Sequence, residues 1–258
     1  MITPMDYLER ARRVFETEIT EVSSVAARLD DRFIQAVDLI KAAVERRNKV
    51  VVLGVGKSGH IGDKIAATLT STGSTAVVLN SLNALHGDLG IVAEGDVVLA
   101  LSQSGETQEL LSILPAIVRF GLPVIAITGN IHSTLAKSAA VVLDVSVTQE
   151  ACPLNLAPTS STTAMLVLGD ALAMVLLEAR GFQKEDFAKF HPGGSLGRAL
   201  LTKVSDIMRS GDRLPLVAPD ATVQQAVRTM GRCRSGCVRS RAYCWSWRGS
   251  TEATTTVI

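Results

Sequence analysis

The stretch Lys49-Val-Val-Val-Leu-Gly-Val-Gly-Lys-Ser-Gly-His-Ile-Gly62 decides how the chain is read. Val50 to Val55 is an apolar, largely β-branched run, which suits a strand buried on both faces of a parallel sheet. It breaks into Gly54, Gly56 and Gly59, with Lys57 and Ser58 between them. Helical spacing follows in Ile61, Ile65 and Leu69. A strand, a glycine turn and a helix start together aim backbone N–H groups at an anion. A phosphate or dinucleotide site at the mouth of an α/β sheet is the first expectation.

Outward from this stretch the pattern alternates. Strands are expected at residues 49–55, 75–79, 96–101, 124–128 and 140–144, and helices at 61–71, 106–120 and 133–137. Such a βαβ series implies a doubly wound α/β fold, a five-stranded parallel sheet with helices on both faces. Ligands of these sheets lie beyond the carboxyl ends of the strands, where Gly54–Gly59 and Ser102–Thr107 fall. Two helices, 7–29 and 31–47, precede the first strand, with apolar surface that could pack on the domain or on another subunit. After a long loop, 148–158, an apolar helix spans 161–179. A domain boundary is placed near Thr202, dividing residues 1–202 from 203–258.

Composition removes several classes. Lys and Arg number 26 against 25 Asp and Glu, so no basic surplus points to nucleic acid or to a membrane surface. The four cysteines include three in the last 26 residues, which is no secreted disulfide framework. The N-terminus has no signal-peptide pattern. The 161–179 helix carries Asp170 and Glu178 and reads as a buried helix rather than a span. A cytoplasmic location follows as the expectation.

Three groups of residues carry chemistry. Gly54-Val-Gly-Lys-Ser-Gly59 formally matches G-x-G-x-x-G, but the next strand ends in Asn80 and not in the acid that holds a nicotinamide ribose. No glycine stands five residues before Lys57, so the P-loop pattern fails too. What remains is a phosphate turn or a tight packing turn. The second group, Ser102-Gln103-Ser104-Gly105-Glu106-Thr107, follows a strand and opens a helix. Capping needs one hydroxyl; three hydroxyls, an amide and the N–H groups of a helix start make an anion cradle. The third is a dispersed set, Lys57, His86, Glu109, Glu150 and His191. Taken singly, each also reads as a surface or loop residue.

Together, GVGKSGHIG, HGDLG, SQSGET, EACPLNLAPTSSTTA, GDALA and FHPGGSLG resemble the sugar isomerase (SIS) domain family and, within it, the bacterial arabinose 5-phosphate isomerases. The resemblance covers roughly residues 50–208. It implies interconversion of D-ribulose 5-phosphate and D-arabinose 5-phosphate for Kdo and lipopolysaccharide synthesis, with no organic cofactor and in a homotetramer. It assigns Ser58, Ser102, Gln103, Ser104 and Thr107 to the sugar phosphate. It assigns Lys57, Glu109, Glu150 and His191 to the isomerisation, and His86 to a position that can take inhibitory zinc.

Aldose–ketose isomerisation through an enediolate needs a base for the carbon proton, an acid for the carbonyl oxygen and a stabiliser of the oxyanion. Glu150 is the expected base, with Glu109 the alternative. His191 would carry protons or open the ring, and Lys57 would face the enediolate or a phosphate oxygen. A non-catalytic phosphosugar-binding module would share the phosphate loops and would not need Glu109, Glu150 and His191.

Val204-Ser-Asp-Ile-Met208 resembles the opening of a CBS module, which this family carries as a pair. A strand at 214–217 and a helix at 222–230 would continue it. From Gly231 the apolar periodicity is lost, and three cysteines and both tryptophans appear. Cys233, Cys237 and Cys244 lack zinc-finger spacing. The expectation is a frameshifted or prematurely ended CBS fragment, irregular from about Gly211.

Overall fold

Val50, Val51, Val52 and Leu53 are completely buried, as a continuous apolar run at the centre of a parallel sheet requires. In the computed structural model, which describes residues 4–194, 197–198, 200, 202–207, 216–232, 243–246 and 254–257, they form β1 (Val50–Gly54). The other strands are β2 (Ala76–Val78), β3 (Val97–Leu101), β4 (Val124–Thr128) and β5 (Val141–Asp144). All neighbours are parallel, in the order β2-β1-β3-β4-β5. The chain leaves β1 toward β2 on one side and returns to β3 on the other. The crevice between β1 and β3 is therefore the switch point at which such sheets bind ligands.

Side chains alternate between two apolar layers. Val50, Val52 and Leu99 face α2 (Asp31–Glu45), α3 (Gly56–Ser71) and α8 (Ser160–Ala179). Val51, Leu53 and Val98 face α5 (Gln108–Leu111), α6 (Leu114–Arg119) and α7 (Thr134–Ser138). Each fully buried Leu or Ile contributes about 1.5–3 kcal/mol. At the amino end of the sheet, buried Asp96 accepts from the Lys49 ammonium at 2.7 Å and from the backbone N–H groups of Lys49 and Ala93. This ties β1 to β3 where the ladder begins.

The five expected strands are present, trimmed by a residue or so at their ends. The helices depart more. α3 begins at Gly56, not at Ile61, so Lys57 and Ser58 stand in its first turn. Gly56 holds φ +59°, and a Cβ on Gly54 would lie 2.9 Å from the Gly59 backbone. That contact lets the strand run straight into the helix. The helix read as 106–120 is two, α5 and α6. Pro115 has no N–H for the carbonyl a turn before it and stands at the start of α6. Segment 81–91 holds α4 (Ser81–Ala84), capped by Asn80, and a 3₁₀ turn (Asp88–Ile91). α9 (Lys184–Phe190) opens with a capping box between Gln183 and Asp186.

α1 (Pro4–Ala27) lies along α8. Among the described residues, α8 alone is long and apolar enough to cross a membrane. Its stripe of Ala164, Met165, Leu168, Leu172 and Leu176 is buried in the core, as the carboxylates within its sequence led one to expect.

The chain divides into two compact units, Met1–Leu200 and Leu201–Ile258. In the second, α10 (Val204–Ile207) and α11 (Val223–Arg232) are helical, close to the expected 222–230 helix. The expected 214–217 strand is absent at Leu216 and Val217, and its first half lies outside the described residues, as does about half of the segment expected to be irregular. β6 (Tyr243–Ser246) and β7 (Thr254–Val257) pair antiparallel where no strand was expected. The Thr-Thr-Thr-Val run of β7 has the β-branched composition that favours a strand.

Candidate active site at the carboxyl edge of the sheet

The last residues of β1 and β3 stand side by side, Gly54 opposite Leu101. Chain continuity therefore brings the start of α3 and the Ser102–Thr107 loop to one crevice. The N-cap of α3 is Val55, whose side chain cannot cap. The first-turn N–H groups of this sixteen-residue helix, beside Lys57 and Ser58, are left for an anion.

Across the crevice, Ser102–Thr107 folds into a cradle. The Ser102 and Thr107 hydroxyls pair at 2.9 Å, and the Gly105 N–H donates to Ser102 Oγ at 3.0 Å. The Glu106 N–H donates to Ser104 Oγ at 3.2 Å. Thr107 is the N-cap residue of α5, yet its side chain makes no capping bond. Capping therefore does not account for its hydroxyl. Gly105 has φ +65°, and a Cβ there would fall 2.0 Å from Ser133 Oγ, so only glycine fits. Two anchors fix the loop. The Gly129 N–H donates to the Gln103 carbonyl, and the Glu106 carboxylate accepts from the Thr134 N–H at 2.7 Å, which lowers its pKa. Gln103 Oε1 is buried without a hydrogen-bond partner.

Ser104 is exposed at the rim. Ser104→Ala is expected to weaken binding of ribulose 5-phosphate by about 1.5–3 kcal/mol through loss of a hydrogen bond to a charged group. Calorimetry checks this, and unchanged affinity would remove the phosphate role of the loop.

The carboxylates differ sharply. Glu150 is half-buried, and its oxygens accept from the Thr159 N–H at 2.7 Å, the Thr159 hydroxyl at 3.0 Å, and both the N–H and the hydroxyl of Ser161. Burial pushes its pKa up, but the bonds from Ser161 and Thr159 outweigh burial and hold the carboxyl below its usual value. The negative charge stands at the N-terminal end of α8, where the helix dipole favours it. Glu109, in the first turn of α5, is exposed and its carboxylate has no partner among the described residues.

The packing of α3 on α8 relates Glu150 to Lys57. Lys64 pairs with Asp170, Ile65 packs on Gly169, and Arg180 donates to the Gly73 carbonyl. Sequence number rises in the same direction along both helices. The start of α8, which Glu150 holds, therefore lies at the same end as Lys57 and Ser58.

His191 is placed elsewhere. Its ring stacks on Phe187 at a centroid distance of 3.9 Å, and Nδ1 lies 3.0 Å from the Phe187 carbonyl. A carbonyl only accepts, so Nδ1 carries the proton and Nε2 is the free acceptor. The imidazole borders a cavity of about 440 Å³ against Asp63, Ala67 and Thr70 of α3 and Val78 of β2; no cradle residue lines it. Within one chain His191 is not gathered with Lys57, Glu109 and Glu150. His86 is exposed just past α4, and among the described residues no group of three or more His, Cys, Asp or Glu could hold a metal ion.

Sequence reasoning missed the residues that fix Glu150. Ser161 and Thr159 lay inside a quoted motif without a role. Glu18 and Glu21 of α1 lay in a helix expected only to offer apolar surface for packing. Yet Glu21 is buried and accepts from Thr148 and Gln149, and Glu18 accepts from the Thr163 hydroxyl. Their three-residue spacing is a weak signal, since it also describes an ordinary solvated helix face.

Comparison with known proteins agrees with this fold. The SIS domain family model matches residues 44–175. Arabinose 5-phosphate isomerase KdsD of Pseudomonas aeruginosa is 53% identical over 228 residues, 88% of this chain and 69% of the relative. Its namesake in Francisella tularensis is 44% identical over 226 residues, again 88% and 69%. A solved Escherichia coli CFT073 protein in complex with arabinose 5-phosphate superposes with a TM-score of 0.70 at 38% identity, covering 74% of this chain and all of that one. The sugar isomerase domain of an RpiR transcription factor from Sphaerobacter thermophilus shares the fold at 19% identity and a TM-score of 0.58. It covers 70% of this chain and 94% of that one. This chain is a SIS-domain protein and belongs to the arabinose 5-phosphate isomerase family.

Proposed function

We propose that the protein interconverts D-ribulose 5-phosphate and D-arabinose 5-phosphate through an enediolate. The observation that carries this is the crevice between β1 and β3, where the Ser102–Thr107 cradle faces the uncapped start of α3. The phosphate is held by Ser58, Ser102, Gln103, Ser104 and Thr107. Remote binding energy then orients the reacting carbons. Glu150 takes the proton from one carbon, exchanges it with solvent, and delivers a proton to the neighbouring carbon. Lys57 stabilises the enediolate oxygen or a phosphate oxygen, and His191 Nε2 carries protons at the sugar oxygens. Glu109 is the second reading for the base. It is favoured by its unengaged carboxylate beyond the carboxyl end of β3, where Glu150 is held by four donors. Isomerisation in D₂O, followed by NMR, tests the mechanism. Deuterium is expected at C2 of newly formed D-arabinose 5-phosphate; sugar phosphate that binds and stays unchanged would leave a non-catalytic binding module.

The working form in this reading is a homotetramer in the cytoplasm, serving Kdo and lipopolysaccharide synthesis, with His191 completing a neighbouring subunit's site. Two features support assembly. His191 is apart from the cradle in its own chain, and Phe15, Ile19, Leu154 and Leu156 are large apolar side chains left exposed. Residues 203–258 are a CBS-type segment that departs from that pattern after Met230. Removing 211–258 is expected to leave isomerase turnover nearly intact; abolished turnover in a soluble product of unchanged oligomeric state would contradict this.

A further inference from the structure

The loop that carries Glu150 is fastened on both flanks by α1. Glu21 is a buried carboxylate, 3% exposed. It accepts from the Thr148 N–H at 2.9 Å, from the Gln149 N–H at 3.2 Å and from the Thr148 hydroxyl. These donors come from the two residues just before Glu150. Beyond the loop, Glu18 accepts from the Thr163 hydroxyl at 2.9 Å. Upstream, Arg28 donates to the Ser146 carbonyl at 2.6 Å and pairs with Asp144. Glu150 in turn ties residues 159–161 to its own carboxylate. A buried carboxylate is costly unless its oxygens are fully bonded. Here its donors come from a segment over a hundred residues away, and two of them are backbone N–H groups, which fix chain position and not only a side chain.

We propose that Glu21 is a positioning residue for the isomerisation, setting the backbone from which Glu150 reaches the substrate. It touches no reacting atom and acts through Thr148 and Gln149. The inference rests on the reading of Glu150 as the base. The carboxylate form is needed. A glutamine would turn an NH₂ group toward one of three donors, leave that donor unpaired and shift the loop. A displacement of about 1 Å at a catalytic group can cost about a hundredfold in rate.

The test uses the full chain and measures kcat, KM and thermal midpoint for Glu21→Gln, Thr148→Val and Glu150→Gln, with Glu21→Gln also placed in the Glu150→Gln background. Glu21→Gln is expected to lower kcat about ten- to a hundredfold with KM nearly unchanged, and to cost nothing further once Glu150 is replaced. Thr148→Val removes one donor from the opposite side and is expected to lower kcat in the same direction by less. It carries the test if Glu21→Gln does not fold. Unchanged kcat in folded Glu21→Gln, or in Thr148→Val where only that variant folds, while Glu150→Gln is inactive overturns this inference alone. An equal loss in both backgrounds overturns it too, since Glu21 would then act on the fold at large. Near-normal turnover in Glu150→Gln overturns the base assignment, and the positioning role with it.

Discussion

Glu150→Gln is expected to lower kcat about 10²- to 10⁴-fold, the range for loss of a positioned general base, with KM for ribulose 5-phosphate changed little. A glutamine keeps the shape but cannot take a carbon-bound proton. It also meets four donors with one carbonyl and one NH₂ group, so the start of α8 loses a cap worth about 0.5–2 kcal/mol. The two effects separate in the measurement. Weaker capping lowers the thermal midpoint, whereas loss of the base lowers turnover at temperatures where the variant is fully folded. The pH profile gives a further check. The hydrogen bonds that overcome burial hold the Glu150 carboxyl below its usual value. Any acid limb due to Glu150 in kcat/KM therefore lies below the usual carboxylate pKa of about 4.3, and turnover is not lost by its protonation at neutral pH. Near-normal turnover in Glu150→Gln, with Glu109→Gln inactive, would assign the base to Glu109.

His191→Ala is expected to lower turnover by about 10²-fold or more, as for other proton carriers, while phosphate affinity is kept because no cradle residue borders the histidine. Phe187 fixes the ring by stacking and by its carbonyl, so alanine removes an acceptor already held in one tautomer. If His191 serves a neighbouring subunit, two inactive variants should complement each other. Subunits of His191→Ala and Glu150→Gln, unfolded and refolded together, would regain activity, because some interfaces then join an intact His191 to an intact Glu150. Mixed oligomers that stay inactive would contradict a shared site.

Periodicity made the sheet legible. A buried parallel strand announces itself as a short β-branched run, and the five that were read are the five of the parallel sheet. The cradle was legible for a related reason, since Ser102–Thr107 concentrates hydroxyls beyond what capping consumes. The start of α3 was misplaced because Gly56 and Gly59 are poor helix formers. Local propensity could not weigh the close approach of Gly54 to Gly59. The split at Pro115 turned on a missing N–H inside an otherwise periodic stretch. The bonds from α1 to the Glu150 loop could not be read at all, because they join residues more than a hundred positions apart. His191 illustrates the same limit, since the motif marks it and only the fold shows that its own chain leaves it away from the cradle.

Proton transfer on a phosphorylated pentose is the work proposed for this crevice. It is tested most directly by incubating the protein with D-ribulose 5-phosphate, with a chelator present and no nicotinamide added, and assaying for D-arabinose 5-phosphate. Formation of D-arabinose 5-phosphate, approaching the same equilibrium mixture from either sugar, is the expected result. Tight binding of both sugar phosphates with no interconversion would contradict it.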